Sequence, residues 1–193
     1  IFPGRIDPNR EVQMKRIILV LCISALTFAF SSLAGAAEYK HKFTGASKCK
    51  VCHSAEKKGN QFGVWSASKH AKAFETLGTP QAKEVAKKAG VADPQTDKGC
   101  LSCHVAGFDA PEAMKGPKWA KEEGVTCESC HGPGEDYSPM KVMRDKAAAV
   151  AAGLVIPDEK TCKTCHNEKS PTYKPFSFAK EWPKVKHDNP LTP

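Results

Sequence analysis

One short cysteine motif occurs four times along this chain of 193 residues. Each copy reads Cys-x-x-Cys-His, and the four copies together use eight of the nine cysteines. In chain order, the first to fourth motifs are Cys49, Cys52 and His53; Cys100, Cys103 and His104; Cys127, Cys130 and His131; and Cys162, Cys165 and His166. The chemistry of this repeated unit therefore limits what the chain can fold into more than any other feature does.

The Cys-x-x-Cys-His spacing is the attachment signature of a c-type haem. The two thiols form thioethers with the porphyrin, and the histidine that follows ligates the iron. Cys-x-x-Cys pairs also build zinc sites, but a tetrahedral zinc site requires no histidine directly after each pair. With 7 histidines in 193 residues, the chance of finding one after all four pairs is on the order of one in a million. The sequence predicts four covalently attached haem c groups with their iron.

The N-terminal part has the composition of an export signal. Met14, Lys15 and Arg16 precede an apolar run over residues 17–30, and small residues follow it. We interpret residues 1–13 as a mis-called upstream extension, 14–37 as a signal peptide and 38–193 as the tetrahaem domain. A membrane anchor is the alternative, but the run is short for a span of about 20 residues. We expect no stable membrane span in the mature chain and a periplasmic or extracellular location.

The ratio of residues to haems indicates the fold class. Roughly 40 residues per haem are too few for a conventional side-chain core, so we expect the haem faces to supply most of the buried apolar surface. The sequence predicts a mainly α fold, a single multihaem c-type cytochrome domain with little or no sheet and a core built around four haems. Apolar periodicity and capping residues predict helices over residues 65–77, 80–90, 117–123, 140–152 and 178–187.

The charge of the chain excludes one class of partner. After position 36 there are 25 Lys and Arg against 19 Asp and Glu, a formal charge of +6. Haem propionates offset much of this excess, and no Arg-rich or aromatic-interleaved patch is present, so we expect no nucleic-acid binding. Redox partner proteins with an acidic docking face are the expected partners.

Three histidines remain as candidate distal ligands after four have been used as proximal ligands. They are His41, His70 and His187. His41 lies in a polar segment that we expect to be a flexible arm, and His70 falls on the apolar face of the predicted helix 65–77. Met140 and Met143 are candidate thioether ligands. At least one haem must lack a second histidine from its own chain, which leaves its sixth position to methionine, water, another chain or no ligand.

Several segments of the sequence resemble the tetrahaem cytochrome c-554 family. The resemblance rests on residues 45–53, 65–77, 100–108, 124–134 and 173–176. Members of this family are small electron carriers, which in ammonia oxidisers accept electrons from hydroxylamine oxidoreductase. The resemblance implies a mainly helical fold with haems in closely packed pairs.

The same resemblance implies a set of axial ligands. His70 would be distal to the haem of His131, and His187 would be distal to the haem of His166. The haem of His104 would be five-coordinate. The family's distal histidine for the first haem lies about ten residues after the third motif, where this sequence has Met140. Met140, His41 or no ligand therefore remains open for the first haem.

Three functions are compatible with these observations. We expect an exported electron carrier that passes single electrons between partners, and not an enzyme. The first alternative is a haem enzyme that reduces a small nitrogen oxide at an open iron, with His104 as the candidate. The second alternative is a homo-oligomer or extracellular filament in which His41 ligates a haem of the next subunit.

Overall fold

Short helices joined by tight turns make up residues 39–190, the part of the chain that the computed structural model describes. The predicted upstream extension at 1–13 and the predicted signal peptide at 14–37 lie outside these residues. The ten α-helices of the described part are α1 (Ala46–His53), α2 (Gln61–Ser66), α3 (Ala73–Leu77), α4 (Pro80–Lys88), α5 (Lys98–His104), α6 (Cys127–His131), α7 (Met140–Met143), α8 (Lys146–Ala151), α9 (Glu159–Lys163) and α10 (Phe178–Val185).

The described residues contain almost no β-structure. One isolated parallel bridge joins Phe43 to Lys115, and three 3₁₀ turns complete the regular elements, at Glu56–Lys58, Glu112–Met114 and Lys121–Glu123. The prediction of a mainly α fold with little sheet is confirmed. Between residues 39 and 190, no helix is long and apolar enough to cross a membrane.

Helix α4 forms where its local signals predicted. The Thr79 side chain caps it by accepting from the Ala82 amide at 3.2 Å, and Pro80 occupies the first helical position, where its missing N–H has no partner to lose. Gly90 follows the helix at a φ of 75°, which a residue with a side chain rarely adopts. All three signals are encoded within a dozen residues, so this prediction needed no tertiary information.

The predicted helix over residues 65–77 is wrong in its middle. Helix α2 ends at Ser66 and α3 begins at Ala73, and His70 lies in the turns between them. The His70 carbonyl accepts from the Val125 amide at 3.0 Å and from the Ala73 amide at 3.1 Å. Val125 belongs to a distant segment, and its hydrogen bond to the His70 carbonyl prevents residues 65–77 from forming one continuous helix. His70 is therefore placed by a turn, and not by the face of a helix.

Three other helices are shorter than predicted. The segment 140–152 is divided into α7 and α8, because Asp145 is extended and its side chain caps α8 by accepting from the Ala148 amide at 3.0 Å. Residues 117–123 contribute only the 3₁₀ turn Lys121–Glu123. Helix α10 ends at Val185, so His187 lies beyond it in extended chain.

The segment that carries His41 is anchored, and the prediction of a flexible arm is wrong. Phe43 is buried. Its amide donates to the Met114 carbonyl at 2.9 Å, and its carbonyl accepts from the Gly116 amide at 2.7 Å. Two backbone bonds and a buried ring hold this segment against residues 114–116.

The side-chain core of the described residues is small. Its largest cluster consists of Leu77, Leu101 and Val105, and six of the eleven buried hydrophobic residues are alanines. Alanine buries little area, so this core removes less apolar surface from water than a chain of this length ordinarily requires. This observation supports the expectation that bound groups complete the core.

A buried carboxylate connects three segments. Glu128 is 2% exposed. Its Oε1 accepts from the amides of Thr44 and Gly134, both at 2.7 Å, and its Oε2 accepts from the Gly45 amide at 2.8 Å. Bonds to an ionised acceptor are stronger than bonds between neutral groups. Glu128 therefore joins the N-terminal segment, helix α6 and the loop after it.

Glu123 performs a related task at the start of α1. Its carboxylate accepts from the Ala46 amide at 2.8 Å and from the Ser47 amide at 3.3 Å. Burial raises the pKa of this carboxyl, although the two amide contacts oppose that rise. Helix α1 has no side-chain cap from its own N-cap residue, Gly45, so Glu123 supplies that cap from a distant segment.

Replacing Glu128 by Ala should destabilise the protein strongly. The amides of Thr44, Gly45 and Gly134 would lose their acceptor in a buried site, and we expect the free energy of unfolding to fall by about 3 kcal/mol or more. Denaturant unfolding of the purified protein, followed by circular dichroism, measures this change. The matched control is Glu122→Ala at an exposed carboxylate, which should change the free energy of unfolding by less than about 0.5 kcal/mol. Equal effects of the two variants would contradict the role given to Glu128.

Candidate functional site

Each of the four motifs begins on the first turn or two of a short helix. Helix α5 is capped by Asp97, which accepts from the Cys100 amide at 3.0 Å. Thr126 accepts from the Glu128 amide at the start of α6 at 3.3 Å. Asp158 and Thr161 form a reciprocal capping box on α9. These caps fix the direction in which the helices start, and therefore the place of the cysteines that follow.

The first and third motifs are in contact. The Cys49 and Cys127 thiols lie close together. Their interaction and burial raise the pKa of Cys49, and the same interaction lowers the pKa of Cys127. Tyr137 lies beside both thiols, and burial is the main cause of its raised pKa. When these sulfurs form thioethers they carry no proton, so the contact itself is the finding that bears on function.

The fourth motif lies near both the third and the second. Burial raises the pKa of the Cys130 thiol to about 11, and the nearby thiols of Cys162 and Cys165 add to the rise. Burial also raises the pKa of Cys165, where Cys103 contributes through a hydrogen bond and through its charge. Proximity therefore links the four motifs in the order first, third, fourth, second.

Three of the four motif histidines have a partner for Nδ1. His104 Nδ1 lies 2.8 Å from the Ala73 carbonyl, and His131 Nδ1 lies 3.1 Å from the Val155 carbonyl. His53 Nδ1 lies 3.2 Å from Gln61 Oε1. An acceptor at Nδ1 fixes the proton there and leaves Nε2 free to bind a metal, which is the usual arrangement of metal-ligating histidines.

Two of the spare histidines lie beside motif histidines. The ring centroids of His70 and His166 are 6.1 Å apart, and those of His131 and His187 are 5.9 Å apart. A metal bonded to one nitrogen of each of two opposed rings at about 2 Å separates the centroids by about 6 Å, because each centroid lies about 1 Å beyond its nitrogen. Both separations fit two histidines that share one iron.

These two pairs differ from those that the family resemblance implied. The resemblance placed His70 with His131 and His187 with His166, whereas the structure places His70 beside His166 and His187 beside His131. Burial lowers the pKa of both His70 and His131, and the neighbouring histidine of each pair adds to that effect. Lowered pKa values keep these rings neutral, which is the state that binds a metal.

His41 and Met140 occupy different environments. His41 Nδ1 lies 2.6 Å from Asp136 Oδ2, and the His41 ring lies against Gly153, whose φ is 100°. Met140 is 57% exposed and opens helix α7. The contact with Asp136 resembles the carboxylate–histidine pairs found beside metals. Both residues stay predictions as ligands of the first motif's haem, as does Met143.

The donor set fits haem better than a simple metal ion. Within residues 39–190, no group of three or more His, Cys, Asp or Glu side chains converges on one point as a metal-ion site requires. A haem needs only one or two axial donors from the chain, with the porphyrin nitrogens supplying the rest. The Ser68 hydroxyl, two residues before His70, is buried without a hydrogen-bond partner, and a polar edge of a bound group would satisfy it.

Sequence analysis did not identify several of the residues that build these sites. Asp97 and Asp158 could have been found, because each stands three residues before the amide that it caps. Gln61 and Asp136 carry no such signal. Asp136 lies 95 positions from His41, and the Asp188 carbonyl that Gln61 contacts lies 127 positions from Gln61.

Two comparisons with known proteins bear on the identity of the family. The family model described as "Cytochrome c554 and c-prime" matches residues 48–132. Cytochrome c-554 of Nitrosomonas europaea is 36% identical over 130 residues, which cover 64% of this chain and 52% of that protein. The chain thus spans about half the length of the curated relative that it matches. No solved structure matches the chain.

The matched region contains three of the four motifs in full, the last of them ending at His131, and the turn that holds His70. A c-type cytochrome carries covalently bound haem c through motifs of this kind. The resemblance to the cytochrome c554 family seen in the sequence is therefore confirmed over residues 48–132.

Proposed function

We propose that this protein is an exported tetrahaem c-type cytochrome that passes single electrons between redox partners. The observation that carries the proposal is the pair of histidine–histidine separations, 6.1 Å and 5.9 Å, each joining a motif histidine to a spare one. Two strong nitrogen donors on one iron favour electron transfer over ligand exchange, because no coordination position stays open. Haem iron supplies reversible one-electron chemistry when it is bound.

The order in which the motifs lie near one another supports a path for electrons through the chain. Cys49 meets Cys127, Cys130 lies near Cys162, and Cys165 meets Cys103. The attachment sulfurs of consecutive motifs in this series therefore lie near one another. On this proposal electrons enter or leave at the first and second motifs, which lie at the two ends of the series.

A surface beside the first motif supports a partner with an acidic face. Val51, between the two cysteines of that motif, is 77% exposed. Lys48 and Lys50 flank it on α1, and Lys57 and Lys58 follow on the next turn; all four are exposed. An apolar centre rimmed by lysines fits a partner whose carboxylates surround an apolar patch. Export to the periplasm or the cell exterior, proposed from residues 14–37, would place the protein among such partners.

The number of haems can be tested directly. We expect mass spectrometry of the exported protein to give four haems per chain, and a reductive titration to take up four electrons. In the variant Cys127→Ala/Cys130→Ala, three haems should remain. A parent with fewer than four haems would contradict the proposal, as would four haems in the double variant.

The pairing of the axial ligands can be tested by removing one haem. If His70 ligates the iron of His166, then introducing His70→Ala into the parent protein should add one high-spin haem. Introducing the same substitution into the variant Cys162→Ala/Cys165→Ala, which lacks the fourth haem, should add none. Electron paramagnetic resonance of the oxidised protein counts these species. A new high-spin signal in the variant that lacks the fourth haem would instead support the pairing of His70 with His131.

A second candidate function rests on His104. Among the ring contacts of residues 39–190, no second histidine faces it, although its Nδ1 is fixed by the Ala73 carbonyl. An iron held there with an open position would bind a small nitrogen oxide and could reduce it. The filament alternative stays a proposal, now with a fixed histidine in place of a mobile arm, because the segment with His41 is held by Asp136 and Phe43 of the same chain.

Carbon monoxide separates the two functions. With an open iron at His104, we expect the reduced protein to bind carbon monoxide at the haem of that motif, seen as a change in its visible spectrum. In His70→Ala one more haem than in the parent should bind it, since that variant opens a further iron. No binding to the parent, together with binding to His70→Ala, would remove the enzyme alternative and leave electron transfer.

A further inference from the structure

Gln61 connects two of the histidines that are proposed to hold iron. It is the first residue of α2 and is 8% exposed. Its Oε1 lies 3.2 Å from His53 Nδ1. Its Nε2 donates to the Asp188 carbonyl at 2.9 Å and also to the Lys58 carbonyl. Gln61 therefore touches the proximal histidine of the first motif and the residue that follows His187.

The orientation of this amide follows from its partners. The Lys58 and Asp188 carbonyls can only accept, so the NH₂ group must face them. The amide oxygen then faces His53, and because it can only accept, His53 must donate from Nδ1. This contact fixes the proton of His53 on Nδ1 and leaves Nε2 as the free nitrogen.

The NH₂ group of the Gln61 side chain holds the C-terminal segment in place. Helix α10 ends at Val185, and His187 and Asp188 follow in extended chain without a helix to orient them. Gly59, at a φ of 90°, approaches the Asp188 carbonyl so closely that a side chain there would collide with it. The turn at 59–61 thus forms the surface on which the segment with His187 rests.

We propose that Gln61 is a positioning residue that couples two haem sites, by setting the tautomer of His53 and by holding the segment that presents His187 to His131. The inference rests on the proposed function, in which His53 and His187 ligate different irons. It goes beyond that function because it assigns a role to a residue that ligates neither. A change at Gln61 should therefore be felt at two haems.

The first variant removes both contacts. In Gln61→Leu, His53 loses the acceptor for Nδ1 and becomes a weaker donor to iron, so the reduction potential of the first haem should rise. The segment with His187 loses its anchor, so part of the low-spin signal of the haem at His131 should convert to high spin. Potentiometric titration and electron paramagnetic resonance measure the two effects.

The second variant separates the two contacts. In Gln61→Glu, a carboxylate accepts more strongly from His53 Nδ1, so the potential of the first haem should fall. A carboxylate cannot donate to the Asp188 carbonyl, so the low-spin signal of the haem at His131 should again be partly lost. The glutamate has nearly the shape of glutamine, so this variant keeps the test available if Gln61→Leu does not fold.

The control is Gln95→Leu, which removes a glutamine with one long contact, 3.4 Å to the Phe74 carbonyl, and should change neither haem. The inference is overturned if the reduction potential of the first haem moves in the same direction in both Gln61 variants. It is also overturned if the low-spin signal of the haem at His131 is unchanged in both. His187→Ala identifies the level of failure. If it produces no high-spin haem, ligation by His187 is wrong and the inference falls with it; if it does, and the Gln61 variants have no effect, only the role of Gln61 is wrong.

Discussion

The Glu128 carboxylate is the interaction on which the arrangement of the described residues depends most. It lies inside the third motif, between Cys127 and Cys130, and three backbone amides from residues 44, 45 and 134 surround it. A charge with 2% exposure is costly unless it is fully hydrogen-bonded. The segments that supply those amides must therefore stay in place for the carboxylate to remain buried, which brings the first and third motifs together.

The small side-chain core explains why polar contacts carry so much of this architecture. With alanine at most buried apolar positions, the helices have little area with which to hold one another. Caps from distant carboxylates, such as Glu123 on α1, then decide where a helix starts. A bound group of the size of haem would add the missing apolar area, and we expect the fold to depend on it.

What could be predicted from the sequence was encoded locally. The four motifs, and helix α4 with its cap at Thr79, depend on residues within a few positions of one another. The break at His70 could not be predicted, because it depends on an amide 55 positions away at Val125. The role of Gln61 was equally hidden, since it contacts a carbonyl 127 positions further on. Sequence periodicity predicts local secondary structure and not such long-range contacts.

On the proposed ligation, the two histidine pairs also act as cross-links. His70 and His166 are 96 positions apart, and His131 and His187 are 56 positions apart. A metal bonded to both members closes the chain between them and removes conformational entropy from the unfolded state, as any cross-link over a long loop does. The motif histidines are already tethered by their cysteines, so His70 and His187 are the residues whose binding closes these loops. Distal ligation should therefore stabilise the fold as well as set the reduction potential. On this proposal the haems that transfer electrons are also the groups that complete the small side-chain core.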